Sequence, residues 1–187
     1  MAFYREENDA IIKNYGKHRN VVDENEWAES DNRADSNDWI ARYEYEANII
    51  LNICRNKGYK KIIEYGSGPG VLGNIICNLD STIEYTYVDK IGAKKQFEKQ
   101  KRKGRFLVKD LMDGLDISEL DTDYDLVVAN DFLEHVFNPS HIIRQSYNLL
   151  IEGGLCFVSV PNWRMGHNWI YRGLFDYDNW ILFMEYH

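Results

Sequence analysis

The sequence predicts an α/β fold, an open sandwich around a mostly parallel sheet. Two observations carry that prediction. Short β-rich apolar runs recur with helical stretches between them, and three glycines at alternate positions follow the first run. The runs are Lys61–Tyr65, Glu84–Val88, Arg105–Val108, Asp125–Ala129 and Leu155–Val160. Each is short and nearly continuous in apolar residues, as strands covered on both faces are. Before them, Ile40, Tyr43, Ala47, Ile50, Leu51 and Cys54 fall at helical spacing from about Asp38, with Gly58 as a stop. The first two connections have room for crossover helices, whereas Lys109 to Tyr124 reads mostly as loop. A further helix start is explicit: Asn138 can cap, Pro139 suits the first turn and Gly153–Gly154 closes the segment. After Val160 a helix fits from Asn179 through Met184 and no sixth strand is visible, so the sheet is expected to lack its last one or two edge strands.

Composition narrows the class. The chain has 187 residues, 44% of them hydrophobic, which is enough for one domain with a core of its own. Thirty acidic against 22 basic side chains give a formal charge of −8 and a pI near 5.1, which argues against a general nucleic-acid binder. No apolar run approaches the ~18 residues of a membrane span, and Met1 to Asp9 is too polar for a signal peptide. Cys54, Cys77 and Cys156 sit among apolar residues, as buried thiols of a reducing cytosol do, so the protein is expected to be cytoplasmic. No His/Cys/Asp cluster has metal-ligand spacing, and no metal is expected. From Asp23 to Asp38 there are seven acids and only Arg33 as a base. Residues 1–38 read as a solvated N-terminal acidic segment, or as a lid whose Tyr15, Trp27 and Trp39 close over a ligand; residues 39–187 read as one domain.

The stretch from Ile62 to Gly73 is the most informative. Glycines between a strand and a helix let the backbone turn sharply and approach a ligand closely at the helix N-terminus. Two cofactor classes compete for it. Gly68-Pro69-Gly70-Val71-Leu72-Gly73 matches the dinucleotide pattern, but with its first glycine late and a proline between the two that must hug a pyrophosphate. Registered instead from Glu64, the loop is an acid followed by Gly66, Gly68 and Gly70 at alternate positions. In that register the sequence resembles the class I S-adenosylmethionine-dependent methyltransferases. Tyr85-Thr86-Tyr87-Val88-Asp89 resembles the family's second strand, Val108-Lys109-Asp110-Leu111 its third strand end, and Tyr124 through Val136 its fourth-strand motif. Leu150 to Leu155 and Val160-Pro161-Asn162 resemble the entry to and exit from strand five. The likeness covers residues 40 to 162.

The resemblance implies a Rossmann-like three-layer sandwich, S-adenosyl-L-methionine as cofactor, S-adenosyl-L-homocysteine as product and a small-molecule methyl acceptor. Glu64, Gly66 and Gly68 would line the methionine end, with Ser67, Gly70 and Lys90 beside them. Asp89 would hold the ribose, since one carboxylate accepts from both hydroxyls. Asp110 and Leu111 would meet the adenine, and Asn130 and Asp131 would end strand four where cofactor and acceptor meet. His135 is the candidate general base, its ordinary pKa lying near neutrality; the competing reading is a histidine that packs or caps the next helix.

Lys90 to Lys109 carries nine basic residues against Glu98 alone. This is either a solvated helix and loop or a surface for a phosphate-bearing acceptor or an acidic partner. Phe97 adds little aromatic surface to its basic residues, so the stretch is poor support for nucleic-acid binding. Trp163, Trp169, Tyr171, Phe175, Tyr177 and Trp180, with Arg164 and Arg172, form either an acceptor pocket or a packed cap. Without later strands, strand five would be an exposed apolar edge, which predicts a homodimer. Against the methyltransferase reading stand a nicotinamide-type oxidoreductase using Gly68–Gly73 and a non-catalytic, methyltransferase-like binding subunit.

Overall fold

The computed structural model describes residues 37–111, 120–161 and 179–185, with side chains placed for residues 40–111 and 120–160. The expected lid aromatics Tyr15 and Trp27, the acidic residues Asp113 and Asp116, Asn162 and the aromatic stretch Trp163 to Tyr177 lie outside the described residues.

Helix α1 (Asn37–Lys57) leads into β1 (Lys61–Tyr65), α2 (Val71–Leu79), β2 (Glu84–Asp89), α3 (Ile91–Lys99) and β3 (Arg105–Val108). β4 (Tyr124–Asn130), a 3-10 turn (Leu133–His135), α4 (Pro139–Leu149), β5 (Leu150–Pro161) and β6 (Asn179–Glu185) follow. The six strands lie in the order β3-β2-β1-β4-β5-β6; β1 to β5 are mutually parallel and β6 runs antiparallel to β5.

Alternation along the strands makes the three layers. Ile62, Leu126, Val128 and Phe157 face one core with Ala47, Ile50, Leu51 and Cys54 of α1, Leu72 and Ile76 of α2 and Phe97 of α3. Their neighbours Ile63, Tyr65, Val127 and Val158 face the other core with Ile142 and Leu149 of α4. All three cysteines are buried and unpaired. Helix α2 crosses β2 so closely that a Cβ on Gly73 would lie 2.4 Å from the Tyr85 ring and 2.5 Å from that of Tyr87. Asp125 aligns two strand starts, its Oδ2 accepting from Lys60 N at 2.6 Å and Lys61 N at 2.8 Å. The Asn138 side chain accepts from His141 N at 3.0 Å with Pro139 in the first turn, as its sequence predicts.

The segment after Val160 departs from expectation. Asn179–Glu185 is a strand, not a helix, and pairs along β5 from Leu155↔Glu185 to Pro161↔Asn179. Five apolar residues, Trp180 to Met184, carry no decisive period of their own, and the open β5 edge supplies backbone partners that an isolated helix would lack. The edge on which the homodimer expectation rested is therefore covered by the chain's own strand. β5 also begins earlier than expected, at Leu150, with an irregular register between Tyr124 and Leu126. In sequence order the chain steps from β1 out to β3 and then returns to β4 on the other side of β1. The carboxyl ends of β1 and β4 consequently flank a crevice, where open α/β sheets bind ligands.

Candidate functional site

Three loops converge on that crevice. Gly66, Gly68 and Gly70 all stand at positive φ, 64°, 53° and 80°, so the alternate glycines hold the conformations that other residues resist. A Cβ on Gly66 would lie 2.3 Å from Cδ2 of Phe132, which puts the exit of β4 directly against the loop. The loop is folded onto β2 by Gly66 N donating to Val88 O at 2.9 Å and closed by Gly70 N donating to Ser67 O at 2.9 Å. Arg102 Nη1 donates to Pro69 O at 2.8 Å. Gly73, through its packing on β2, does what the third glycine of the dinucleotide pattern does, so the loop alone does not separate the two cofactor classes.

Asp89 is tied to the loop at the end of β2. Its Oδ2 accepts from Gly68 N and its Oδ1 from Lys90 N, each at 2.6 Å. Burial pushes its carboxyl above the ordinary value, against the pull of those two N–H groups. A carboxylate has about four acceptor positions, so two remain for a ligand's hydroxyls. Lys90 Nζ stands 3.9 Å from Asp110 Oδ2 in an exposed pair, and Leu111 is buried beside it in sequence.

The strand-four end carries a buried polar network that the sequence reading reaches only in part. Asn130 is 7% exposed; its Nδ2 donates to Glu46 Oε2 at 2.9 Å, while its Oδ1 is buried with no hydrogen-bond partner. Glu46 Oε1 lies 3.3 Å from Arg42 Nε, and the Arg42 guanidinium also pairs with Asp131 Oδ2. Asp131 sits at φ 47, a left-handed position that an aspartate tolerates, with its N donating to Ser159 O at 3.0 Å. Burial raises the Glu46 carboxyl in spite of Arg42 and Asn130. Arg42 and Glu46 were missed, yet positions 42, 46, 50 and 54 fall on one helical line that continues into buried Ile50 and Cys54. Two charges on a buried line were the available signal.

Glu64 is 3% exposed and accepts from Tyr85 Oη at 3.2 Å. Burial pushes its carboxyl up to about 8, with Glu46 and Asp89 adding to the rise and the Tyr85 hydrogen bond and Arg102 opposing it. Near neutrality it is therefore mostly protonated. Such a group contributes stability fully below its ordinary value of 4.5 and loses it as pH rises through about 8. Glu64→Gln stays neutral, so its urea midpoint should gain on the wild type between pH 5 and pH 8. Parallel profiles over that window would sink the assignment.

His135 lies apart from these groups. Its side chain is 64% exposed, on the turn after β4, with its N donating to Phe132 O at 2.9 Å and its Nε2 3.8 Å from Glu134 Oε1. The structure thus brings together the glycine loop, Asp89, Asn130 and Asp131, with Glu64 beneath them, and leaves His135 at the solvent edge of the same strand end.

This donor set fits a nucleoside-bearing cofactor with a cationic group. Asp89 retains acceptor capacity for hydroxyl groups, Gly68 alone of the three loop glycines has open space beside it for close backbone approach, and Asn130 Oδ1 is a buried acceptor in need of a donor.

Comparison with known proteins agrees with the architecture. Residues 37–186 match the family model described as a methyltransferase domain. A ubiquinone biosynthesis O-methyltransferase of Glaesserella parasuis serovar 5 is 29% identical over a stretch covering 55% of this chain and 46% of that protein. The plantazolicin methyltransferase BpumL, solved with a pentazolic desmethylPZN analog and SAH, superposes with a TM-score of 0.60 at 17% identity, over 71% of this chain and 52% of its own. The CurJ carbon methyltransferase gives a TM-score of 0.53 at 17% identity, over 64% of this chain and 35% of its own. The chain spans about half the length of the curated relative it matches, and its likeness to the solved structures is one of fold. With the family model matched over most of its length, from the start of α1 to the end of β6, the chain belongs to the methyltransferase domain family.

Proposed function

We propose that the chain is an S-adenosylmethionine-dependent methyltransferase acting on the oxygen or nitrogen of a small molecule, with residues 39–187 as the methyltransferase domain and residues 1–38 as an acidic segment before it. The observation that carries this reading is the Asp89 carboxylate, hydrogen-bonded to Gly68 of the loop and holding two acceptor positions in reserve. The names of the relatives, two of them methyltransferases by solved structure and one an O-methyltransferase, support the reaction class.

The chemistry supplied by the cofactor is a methyl group on a sulfonium centre, displaced in line with a neutral thioether leaving. The chain's own task is then to hold the two reactants in line, exclude water and remove a proton where the acceptor carries one. Asp89 accepts from the ribose hydroxyls. Asp110 and Leu111 meet the adenine, while Gly66, Ser67, Gly68 and Gly70 bring backbone against the methionine end. Asn130 Oδ1 accepts from the cofactor's ammonium, a donor that would end its isolation. His135, at the exposed exit of β4, takes the acceptor's proton and can pass it to solvent. Among the described residues no helix is long and apolar enough to cross a membrane.

Calorimetric titration with S-adenosylhomocysteine tests the cofactor and NADH serves as its control. Micromolar S-adenosylhomocysteine binding with no response to NADH is expected; the reverse would establish the oxidoreductase reading suggested by Gly68–Gly73. Once an acceptor is found by screening phenols and amines, His135→Ala should lower kcat on the order of 100-fold. Its affinity for S-adenosylhomocysteine should stay unchanged. An unaltered kcat would remove the general-base role.

A further inference from the structure

The basic run that the methyltransferase reading leaves unused has a defined shape. Nine of the chain's 22 basic residues lie between Lys90 and Lys109, against one acid, in a chain whose formal charge is −8. Lys95, Lys99, Lys101, Lys103 and Arg105 are exposed, on the outer face of α3, on the turn after it and at the start of edge strand β3. The run's one acid is engaged within it, Glu98 Oε1 standing 3.6 Å from Lys94 Nζ. Arg105 pairs with Asp121 at 3.1 Å, whereas among the described residues Lys99, Lys101 and Lys103 form no ion pair.

The turn that carries these three lysines is held rigidly. Lys101 stands at φ 52 and Gly104 at φ 114, Lys101 N donates to Glu98 O at 3.1 Å, and Tyr87 Oη donates to Lys103 O at 2.8 Å. A Cβ on Gly104 would fall 2.6 Å from the Tyr87 ring and 2.7 Å from Tyr85 O, so the turn lies directly on β2. Rigid display lowers the entropy lost when a partner binds. Beside it, Lys103, Gly104 and Arg105 form one wall of a cavity of about 450 Å³ whose floor is apolar, with Cys77, Ile83 and Tyr85, and whose rim carries Lys61, Glu84 and Asp121. The cavity opens at the amino ends of β1 to β3, at the far end of the strands from the glycine loop, so its occupant does not compete with a ligand there.

We propose that this α3–β3 face docks an acidic segment of a partner protein, with one apolar side chain of that segment seated in the cavity. The charge distribution favours a local acidic segment over a long polyanion. Twenty-nine of the chain's 30 acids lie outside the run, and a nucleic acid or an anionic bilayer extending past the patch would meet them. Base stacking has little to use here, since Phe97 of α3 is buried and Phe106 of β3 is packed against the same core.

Fluorescence anisotropy with a labelled 16-residue Glu/Ala peptide bearing one central leucine tests the proposal, at low and at physiological salt. Saturable binding is expected that weakens as salt rises. It should weaken on the order of tenfold in the Lys99→Glu/Lys101→Glu/Lys103→Glu variant, and several-fold when the leucine is exchanged for serine. A parallel set with Lys→Gln at the same positions should give a smaller loss in the same direction and guards against misfolding. Affinity for S-adenosylhomocysteine should be equal in variants and wild type, which separates failure of the dock from failure of the cofactor site. Absence of peptide binding, binding indifferent to the three lysines, or tighter binding of a DNA duplex or of phosphatidylserine vesicles than of the peptide would each overturn it.

Discussion

Asp89→Ala is expected to weaken S-adenosylhomocysteine binding by about 100-fold while leaving the chain folded. Two hydrogen bonds from ribose hydroxyls to a charged acceptor contribute about 1.5 kcal/mol each, or about 3 kcal/mol together, and every 1.4 kcal/mol is about tenfold in affinity. Part of the loss is indirect. The carboxylate also holds Gly68 N and Lys90 N, each at 2.6 Å, so its removal frees the loop that must approach the ligand. Asp89→Asn separates the two contributions. Its one remaining acceptor can keep the Gly68 contact, but the amide has neither the charge nor the spare acceptors for two hydroxyls. An intermediate loss is therefore expected for asparagine and the full loss for alanine, by calorimetry beside thermal melts. Affinity within twofold of wild type in a folded Asp89→Ala chain would remove the ribose role and with it the main support for the cofactor assignment.

The parts of this fold that were legible in the sequence are those where local chemistry and tertiary need agree. β1, β2 and β4 read correctly because they are buried on both faces and bounded by glycine, aspartate or lysine, edge strand β3 because Phe106, Leu107 and Val108 form a short β-rich run, and α4 because Asn138 and Pro139 mark its start. The α1 stripe was legible for the same reason: Ala47, Ile50, Leu51 and Cys54 are all buried in one core. β6 was not, because Asn179–Glu185 becomes a strand only through the ladder offered by β5, a contact between residues far apart in the chain. The site divides along the same line. Gly66, Gly68, Gly70 and Asp89 are legible as candidates in backbone position and spacing, and the structure ties the loop to Asp89 through the Gly68–Asp89 hydrogen bond. Arg42 and Glu46 join the candidate site through contacts with residues more than eighty positions away, Asn130 and Asp131. A one-dimensional pattern shows such charges as an ordinary i, i+4 surface pair, and only the burial of their helical line distinguishes them.

That buried network leads to the other large expected effect. Arg42→Met should destabilise the chain by about 3–5 kcal/mol at pH 8, the usual range for removing one partner of a buried ion pair. Arg42 is 8% exposed and is the counter-charge to both Glu46 and Asp131, so its loss leaves two carboxylates facing each other across the end of β4. The sign of the pH dependence follows from Glu46. Burial already raises its carboxyl, and without Arg42 the main opposing influence is gone, so it should take up a proton at still higher pH. Protonation relieves the repulsion, and the penalty should shrink as pH falls from 8 toward 5. Urea unfolding at the two pH values measures this directly, with the midpoint of the variant approaching that of the wild type only at the acid end. Arg42→Met with Glu46→Leu removes both buried charges and should recover most of the stability, because an apolar pair replaces an ionic one at similar volume. Recovery of stability should not restore ligand affinity, since Asn130 would then lose its Glu46 partner and Asp131 its hold on α1. Stability equal to wild type in Arg42→Met at pH 8 would mean that the network contributes nothing to holding α1 against the strand ends. A doubly substituted chain that is stable but binds S-adenosylhomocysteine poorly would instead assign the network to positioning the site.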